Sequence, residues 1–344
     1  MIDFRYHLVS IVAVFLALAI GIVVGSTALQ GRVLNALNRA SKAEVRNNGV
    51  LRAQNKVQSK QLAADDLFAR TASGYLLSHL LEGERVVLVT APGADSQTVS
   101  GVTSALQLAG ATVTGQVSLT TQYFDISKTT ESSLLALAQS LAPAGISLPA
   151  SAAASPIYGQ QAAAQVIAAA IVNTDGVATV SQTQSQGILS GFGQQGYLQV
   201  SGPGGGTVLA GQATLAVVVI PASPAANASS PANLALVAAA RELQRASAGA
   251  LMAGSLPGSG PGSAIDAVTS GAAGVAVTTV DNASTASGQI IVVWALRKLL
   301  DPHASPAAYG VVPAAVPSPA PSTAPTPALG SPATRSVRKS LVKS

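Results

Sequence analysis

Residues 85–93, Arg-Val-Val-Leu-Val-Thr-Ala-Pro-Gly, hold a short apolar run that ends in turn residues. A run of this length bounded by turn residues is typical of a strand buried on both faces. A helix capped by Asp95 or Ser96 is predicted to follow it and to end at Gly110. Thr112–Val117 then has the composition of a second strand. A strand, a helix and another strand in this order predict a parallel pair joined by a crossover helix.

The same alternation recurs towards the C-terminus. Further elements are predicted as strands at 215–220, 250–253 and 275–280, and as helices from Ser230-Pro231 to about Ser247 and over 289–300. We therefore predict an α/β fold whose mostly parallel, Rossmann-like sheet is covered on both faces. The predicted domain organisation is a membrane anchor (1–28), a helical stalk (29–81), this α/β domain (82–303) and a disordered tail rich in Pro, Ala and Ser with a basic end (304–344).

The N-terminus contains a run without charge, Leu8–Ala28. A helix of that length reaches roughly 30 Å, the thickness of one bilayer core, which predicts a single-pass anchor. A cleaved signal peptide is the alternative, because Ser26-Thr27-Ala28 has the small-x-small spacing of a cleavage site. The run is longer than the usual ~7–15 apolar residues of a signal peptide, so we favour a retained anchor.

Small residues recur every fourth position within this run, at Ala13, Ala17, Gly21 and Gly25. Such a stripe allows two helix backbones to approach closely, so we predict that copies of the chain pair through it. The alternative is that a chain rich in Ala and Gly places these residues at many positions without any pairing.

The predicted stalk is basic and almost free of Gly and Pro. Leu34, Leu37, Leu51 and Leu62 fit one heptad frame, but polar residues occupy its other core positions, so the predicted coiled coil is weak. Between residues 32 and 60 there are seven basic residues and one acid. Arg32 and Arg39 are the two of these basic residues that lie nearest to the anchor, and they are predicted to contact anionic lipid headgroups. Nucleic acid is not a predicted partner, because the basic cluster lacks interleaved aromatic residues.

The membrane topology is left open by these features. The positive-inside rule would place the basic stalk in the cytoplasm. The low charge and the abundant Ser and Thr of the α/β domain favour the opposite side, and we predict an extracytoplasmic domain.

The composition excludes several chemistries. The 344 residues include no cysteine, so disulfides, thiolate metal sites and cysteine nucleophiles are excluded. The three histidines, at positions 7, 79 and 303, do not have the spacing of metal ligands. We therefore predict no metal site, no cofactor site and no catalytic residues.

Two glycine-rich segments resemble nucleotide-binding motifs only superficially. Gly191–Gly196 matches the pattern GxGxxG, but a strand-like segment follows it where a dinucleotide-binding motif requires a helix. We interpret it as a helix end that turns into a strand. Gly202–Gly206 lacks the Lys and Ser/Thr of a phosphate-binding loop and is predicted to be a flexible hairpin loop. Asp95, Asp125, Asp175, Asp266 and Asp281 lie near predicted strand ends or helix starts, where we expect them to cap helices and turns.

Several segments together carry a family resemblance. They are Arg5–His7, Ala13–Gly21, Gly25-Ser26, Ala64–Asp66, Gly83 with Val86–Leu88, Ala109–Val113 and Val117–Thr120. In this order, they resemble the actinobacterial copper transport protein B (MctB) family from Met1 to about His303. The resemblance implies a role in copper homeostasis and efflux across the cell envelope, an outer-membrane location and copper as a partner.

The expected function is therefore that of a membrane-anchored envelope protein, not an enzyme, that takes part in copper homeostasis. One alternative is a non-transporting envelope scaffold. The other is an α/β domain that binds a ligand or nucleotide with the loops at its strand ends, since ligands of open α/β sheets lie beyond the carboxyl ends of the strands.

Overall fold

The computed structural model describes residues 4–148, 155–174, 180–223, 225, 227–312 and 317. These form two units, residues 1–65 and 66–344. The helices are α1 (Phe4–Leu77), α2 (Ser96–Leu108), α3 (Lys128–Leu141), α4 (Tyr158–Ile171), α5 (Gln182–Gln194), α6 (Pro231–Ala246), α7 (Ala264–Thr269) and α8 (Ala286–Leu299). The strands are β1 (Arg85–Thr90), β2 (Thr112–Leu119), β3 (Leu198–Ser201), β4 (Leu215–Val219), β5 (Gly249–Ala253), β6 (Thr278–Val280) and β7 (Ala308–Tyr309).

The strands form one sheet in the order β3-β2-β1-β4-β5-β6-β7. All neighbours are parallel except β3, which runs antiparallel to β2 at the edge. The predicted mostly parallel α/β fold is confirmed, with the central strands β1, β4 and β5 buried along nearly their whole length.

Alternate residues of the central strands contribute to two hydrophobic cores, one on each face of the sheet. On β1, Val87 and Val89 belong to the first core and Val86 and Leu88 to the second. The first core is covered by α3, α4, α5, α6 and α7, and the second by α2, α8 and the end of α1. Because side chains alternate along a strand, both faces need apolar residues, and the strands become continuously apolar.

Three local differences from the sequence analysis have simple physical causes. The sequence analysis predicts no helix in the Gly- and Pro-rich segment after β5, yet this segment contains α7, whose first turn is capped by the Ser263 hydroxyl. The helix predicted from Gln289 begins three residues earlier, capped by Thr285. Beyond His303, β7 pairs with β6, because Thr279 and Asp281 donate backbone hydrogen bonds to the carbonyls of Ala307 and Tyr309. The segment of the predicted tail from 318 onwards lies outside the described residues.

Candidate functional site

The first feature with functional meaning is the apolar part of α1. Within the described residues, Tyr6–Gly25 is the one helical segment long and apolar enough to cross a membrane, and none of it is buried. Ala13, Ala17, Gly21 and Gly25 are all exposed on it. A Cβ atom added at either glycine would meet no other atom within 4 Å, so nothing among the described residues packs against Gly21 or Gly25. Pairing through the stripe stays a prediction.

The predicted lipid-contact residues lie farther along the same helix. Arg39 is exposed, and the side chain of Arg32 lies outside the described residues. Glu44, the acid within this basic stretch, is also exposed.

The last turns of α1 dock on the α/β unit through a carboxylate. Asp66 Oδ1 accepts the backbone N–H of Ala286 at 2.7 Å, in the first turn of α8, and Asp66 Oδ2 accepts from Arg70 Nε at 2.7 Å. A carboxylate at a helix N-terminus satisfies an otherwise unpaired N–H and interacts favourably with the helix dipole. The hydrogen bond from Ala286 is the main cause that lowers the pKa of Asp66 below its usual 3.8. This cap comes from a residue 220 positions away, so no sequence spacing indicates it.

We expect Asp66→Ala to lower the free energy of unfolding of the full chain by about 1 kcal/mol near neutral pH, as for the loss of other helix caps. Since folding lowers the pKa of Asp66, its contribution is complete above the unfolded pKa and is lost as the pH falls through the folded pKa. The stability difference between wild type and Asp66→Ala should therefore shrink below about pH 4. Thermal unfolding followed by circular dichroism between pH 3 and 7 measures this difference. A difference that stays constant over that range would show that the carboxylate charge does not contribute.

The second feature is the carboxyl edge of the sheet. The loops after β1, β4 and β5 share this edge, because the three strands are parallel neighbours. Ala222 donates its backbone N–H to the carbonyl of Gly93 at 2.9 Å, and Gly254 donates to the carbonyl of Val280 at 2.8 Å. The crossover from β1 leads to α2 on the second core, whereas that from β4 leads to α6 on the first core. This edge is therefore a topological switch point, the place where ligands bind in open α/β sheets.

The acids near this edge have structural roles. Asp95 caps α2 by accepting from Gln97 and Thr98, and the hydroxyl of Thr98 is the main cause that lowers the pKa of Asp95. Asp125 accepts from the side chains of Ser127 and Thr130 at the start of α3, and its pKa is also lowered, mainly by the Thr130 hydroxyl. The capping interpretation is correct for these two residues.

Two further acids, Asp266 and Asp281, stabilise loops through hydrogen bonds from the backbone. Asp266 accepts from the backbone N–H of Gly262 at 2.7 Å. Asp281 is almost fully buried, and its two oxygens accept the backbone N–H groups of Val311 and Val312, both at 2.8 Å. The buried carboxylate thereby fixes the chain that leaves β7. Asp175 lies outside the described residues.

The first glycine-rich motif has the predicted structural role, and the second does not. Gly191 and Gly193 lie in α5, and Gly196 has a φ of 77° where the chain turns into β3. This positive φ explains the last glycine of the motif, because other residues rarely adopt it. The segment 202–206 forms a 3-10 turn at Pro203–Gly205 and is not the predicted hairpin loop, because β3 pairs with β2, whereas the next strand, β4, pairs with β1 and β5.

Candidate metal ligands are scattered in the structure. Within the described residues, no group of three or more His, Cys, Asp or Glu side chains comes together. His79 Nδ1 lies 3.0 Å from a carboxylate oxygen of Glu82, at the exposed end of α1, and Met252 is fully buried in β5. The described part of one protomer thus offers copper no cluster of the soft or imidazole ligands that it prefers.

Comparison with known proteins agrees with the resemblance noted from the sequence. A family model described as "Copper transport outer membrane protein, MctB" matches residues 1–319. The chain is 30% identical over 304 residues to the copper transporter MctB of Mycobacterium tuberculosis (strain ATCC 25618 / H37Rv), covering 88% of this chain and 94% of the relative. It is 29% identical over 314 residues to the copper transporter MctB of Mycobacterium leprae (strain TN), covering 90% of this chain and 96% of that relative. Because the match includes the apolar helix, the sheet and the helices on both of its faces, the chain belongs to the MctB family.

Proposed function

We propose that this chain is a membrane-anchored protein of the cell envelope that acts in copper homeostasis by favouring copper efflux, and that it is not an enzyme. The observation that carries the proposal is the family match over residues 1–319, which extends from the apolar segment of α1 through the whole sheet. The family is named for copper transport, and no catalytic function appears in that name.

Deleting the gene in the native host and measuring cellular copper by mass spectrometry tests this function. We expect copper to rise in the deletion strain during growth at a sub-toxic copper concentration, and to return to the normal level when the full chain is restored. A chain without residues 1–25 should not restore it, and cellular zinc should not change in any strain. Unchanged cellular copper in the deletion strain would contradict the proposal and favour an envelope scaffold.

We also propose that the chain influences copper without a tight copper site inside one α/β unit. The support is the scattering of histidines and methionines, of which Met252 is fully buried. In competition with a chromophoric chelator, the purified full chain is expected to take up less than one copper ion per chain at sub-micromolar free copper. Stoichiometric uptake under those conditions would refute this part of the proposal.

The proposed location of the α/β unit is outside the cytoplasm, with α1 as the anchor. The outer-membrane description of the family and the low charge of the unit support this location. Protease added to intact cells should then degrade the unit, whereas cleavage that requires cell lysis would place the unit in the cytoplasm.

We further propose that the active form is a homo-oligomer paired along α1. A single helix cannot enclose a water-filled path, so any conduction of ions needs several copies. Besides the small-residue stripe, the last turns of α1 carry Phe68 and Tyr75, whose side chains are 75% and 90% exposed. The other aromatic side chains described outside the anchor are buried or partly buried. Exposed aromatic residues in a chain with 3% aromatics support a contact with another molecule.

The proposed lipid contact has its own test. Arg32 and Arg39 lie close behind the anchor, whereas Lys56 and Lys60 lie roughly 40 Å from Arg32 along a helix with a rise of 1.5 Å per residue. Each basic residue near anionic lipid contributes about 1 kcal/mol, and salt screens this contribution within a Debye length. Replacing Arg32 and Arg39 by Glu should therefore weaken binding of a stalk peptide to anionic vesicles by at least tenfold at low salt. The matched change of Lys56 and Lys60 to Glu should have little effect, and equal effects would mean that the peptide lies flat on the membrane.

A further inference from the structure

A cleft of about 300 Å³ opens at the switch point, between the residues that follow β1 and β4. Pro92 follows β1 and Pro221 follows β4, and both form part of its walls. The two segments diverge at this point, one towards α2 and the other towards α6. The volume lies at the lower end of the range found for small-molecule sites, and the position is the usual one for ligands in open α/β sheets.

The walls of the cleft are mainly apolar and carry no charge. Phe124, Ile220 and Leu236 supply the large side chains, and alanines and prolines supply much of the remainder. Within the described residues, no Asp, Glu, Lys, Arg or His side chain lines the cleft. A charged ligand would lose its hydration there without gaining an opposite charge, which is costly.

One amide connects the walls of the cleft. Asn233, in the first turn of α6, is 6% exposed. Its Nδ2 donates to the carbonyl oxygens of Asn227 at 3.0 Å, Ala228 at 3.3 Å and Gly262 at 2.8 Å. These bonds tie the loop before α6 to the loop before α7, so the cleft keeps its shape without a ligand. They also fix the orientation of the amide, because the flipped amide would place Oδ1 against three carbonyl oxygens.

The same amide leaves one acceptor unused. Asn233 lines the cleft, and its Oδ1 accepts no hydrogen bond from the described residues, but it is not one of the fully buried unpaired oxygens, which belong to Gln160, Asn173 and Asn282. Because Oδ1 is open to water, a ligand with a donor group can hydrogen-bond to it in place of a water molecule. The cleft thus combines mostly apolar walls with a few polar groups, the Asn233 amide and the hydroxyls of Thr121, Ser223 and Ser263, which is the usual make-up of a specific small-molecule site.

We propose that this cleft binds a neutral, mostly apolar small molecule that carries one hydrogen-bond donor, with Asn233 Oδ1 as its acceptor. Nucleotides and sugar phosphates do not fit this chemistry, because the lining formed by the described residues has no cation for a phosphate. The proposal rests on the geometry of the cleft and does not depend on the role in copper homeostasis.

Indole is a suitable probe, because it is neutral and aromatic and has one N–H donor. The full chain in lipid nanodiscs is titrated with indole and followed by saturation-transfer difference NMR, with empty nanodiscs as the background. We expect saturable binding of indole and about tenfold weaker binding of benzofuran, which has the same shape without the donor. Indole-3-acetate, which adds a negative charge, should show no saturable binding. Binding of all three with equal affinity would overturn the proposal.

Two variants that fill the cleft locate the site. Ser223 and Ala232 are exposed residues that line it, so Ser223→Trp and Ala232→Phe should each abolish saturable indole binding. Ser229 is exposed on the same loop but does not line the cleft, so Ser229→Trp is the matched control and should bind indole as wild type does. Circular dichroism verifies that each variant is folded. Undiminished binding in both folded filling variants would show that indole binds elsewhere, and if neither variant folds, the comparison of the three probes on the wild-type chain still decides the question.

Discussion

The substitution Tyr75→Cys is expected to convert most of the chain in native membranes into a disulfide-linked dimer on mild oxidation. The natural chain has no cysteine, so the variant has a single one, and a disulfide-linked species of twice the mass of the chain must join two copies. Phe68 and Tyr75 are seven residues apart and lie nearly above one another on α1, on the side away from Ala69 and Leu77, which are buried against the α/β unit. In a parallel pair of helices that meets on this face, the two copies of residue 75 approach within disulfide distance.

The control for this experiment is the substitution Leu62→Cys. Leu62 is also exposed on α1 but lies about 120° around the helix from Phe68. The Leu62→Cys chain should remain mostly monomeric on a non-reducing gel. A dimer of the Leu62→Cys chain and none of the Tyr75→Cys chain would instead place the leucine heptad frame at the interface. A monomer in both cases would contradict pairing along α1.

The anchor stripe is tested in the same background. Adding Gly21→Leu and Gly25→Leu to Tyr75→Cys should reduce the dimer yield several-fold, because bulky side chains hold the backbones apart. Ala19→Leu with Val23→Leu changes the opposite side of the anchor and should leave the yield unchanged. Equal yields in the two double variants would show that the stripe does not contribute to pairing.

Gly288→Ala is expected to lower the thermal midpoint of the α/β unit by about 10 °C, an effect at the upper end for overpacking. Gly288 lies in the first turn of α8, where a Cβ atom would contact the backbone carbonyl of Asn282. A backbone atom in a closed turn cannot move aside as the tip of a flexible side chain can, so the substitution must displace the start of α8.

Gly187→Ala is the matched control for this substitution. Gly187 is an exposed glycine inside α5, and a Cβ atom there would meet nothing within 4 Å. Because alanine favours the helix over glycine by about 1 kcal/mol, this change should raise the midpoint by a few degrees. Thermal unfolding of both full-length variants by circular dichroism measures the difference. A Gly288→Ala midpoint equal to that of wild type would show that the α8 turn is not tightly packed.

The central part of the fold was predictable because its signals are local. Val86–Val89 is apolar at every position, Asp95 has the chemistry of a helix cap, and Gly110 follows the end of α2. Each of these features depends on residues close together in the chain, and the order of strands and helices then restricts the sheet to a mostly parallel form. The short elements were not predictable, because β7 has two residues and α7 has six, too few for a periodic pattern.

The features of the candidate sites also differ in whether the local sequence predicts them. The small-residue stripe and the basic residues behind it follow from spacing alone, and the family resemblance follows from segments in a fixed order. The cap that Asp66 forms on α8 joins residues that are 220 positions apart. The hydrogen bonds that Asp281 accepts from Val311 and Val312 join residues about 30 positions apart. Nothing in the local sequence distinguishes these acids from those that cap their own helices.

By itself, the sequence determined that this chain has an apolar N-terminal helix, alternating strands and helices, and segments that resemble those of its family in the same order. Each of these features depends on neighbouring residues and on their periodicity. Only the tertiary structure decided which loops meet at the switch point, which aromatic side chains stay exposed on α1, and that Asn233 shapes an uncharged cleft. These properties arise from packing between residues far apart in the chain, since burial and the pairing of polar atoms are set by the folded neighbours of a residue.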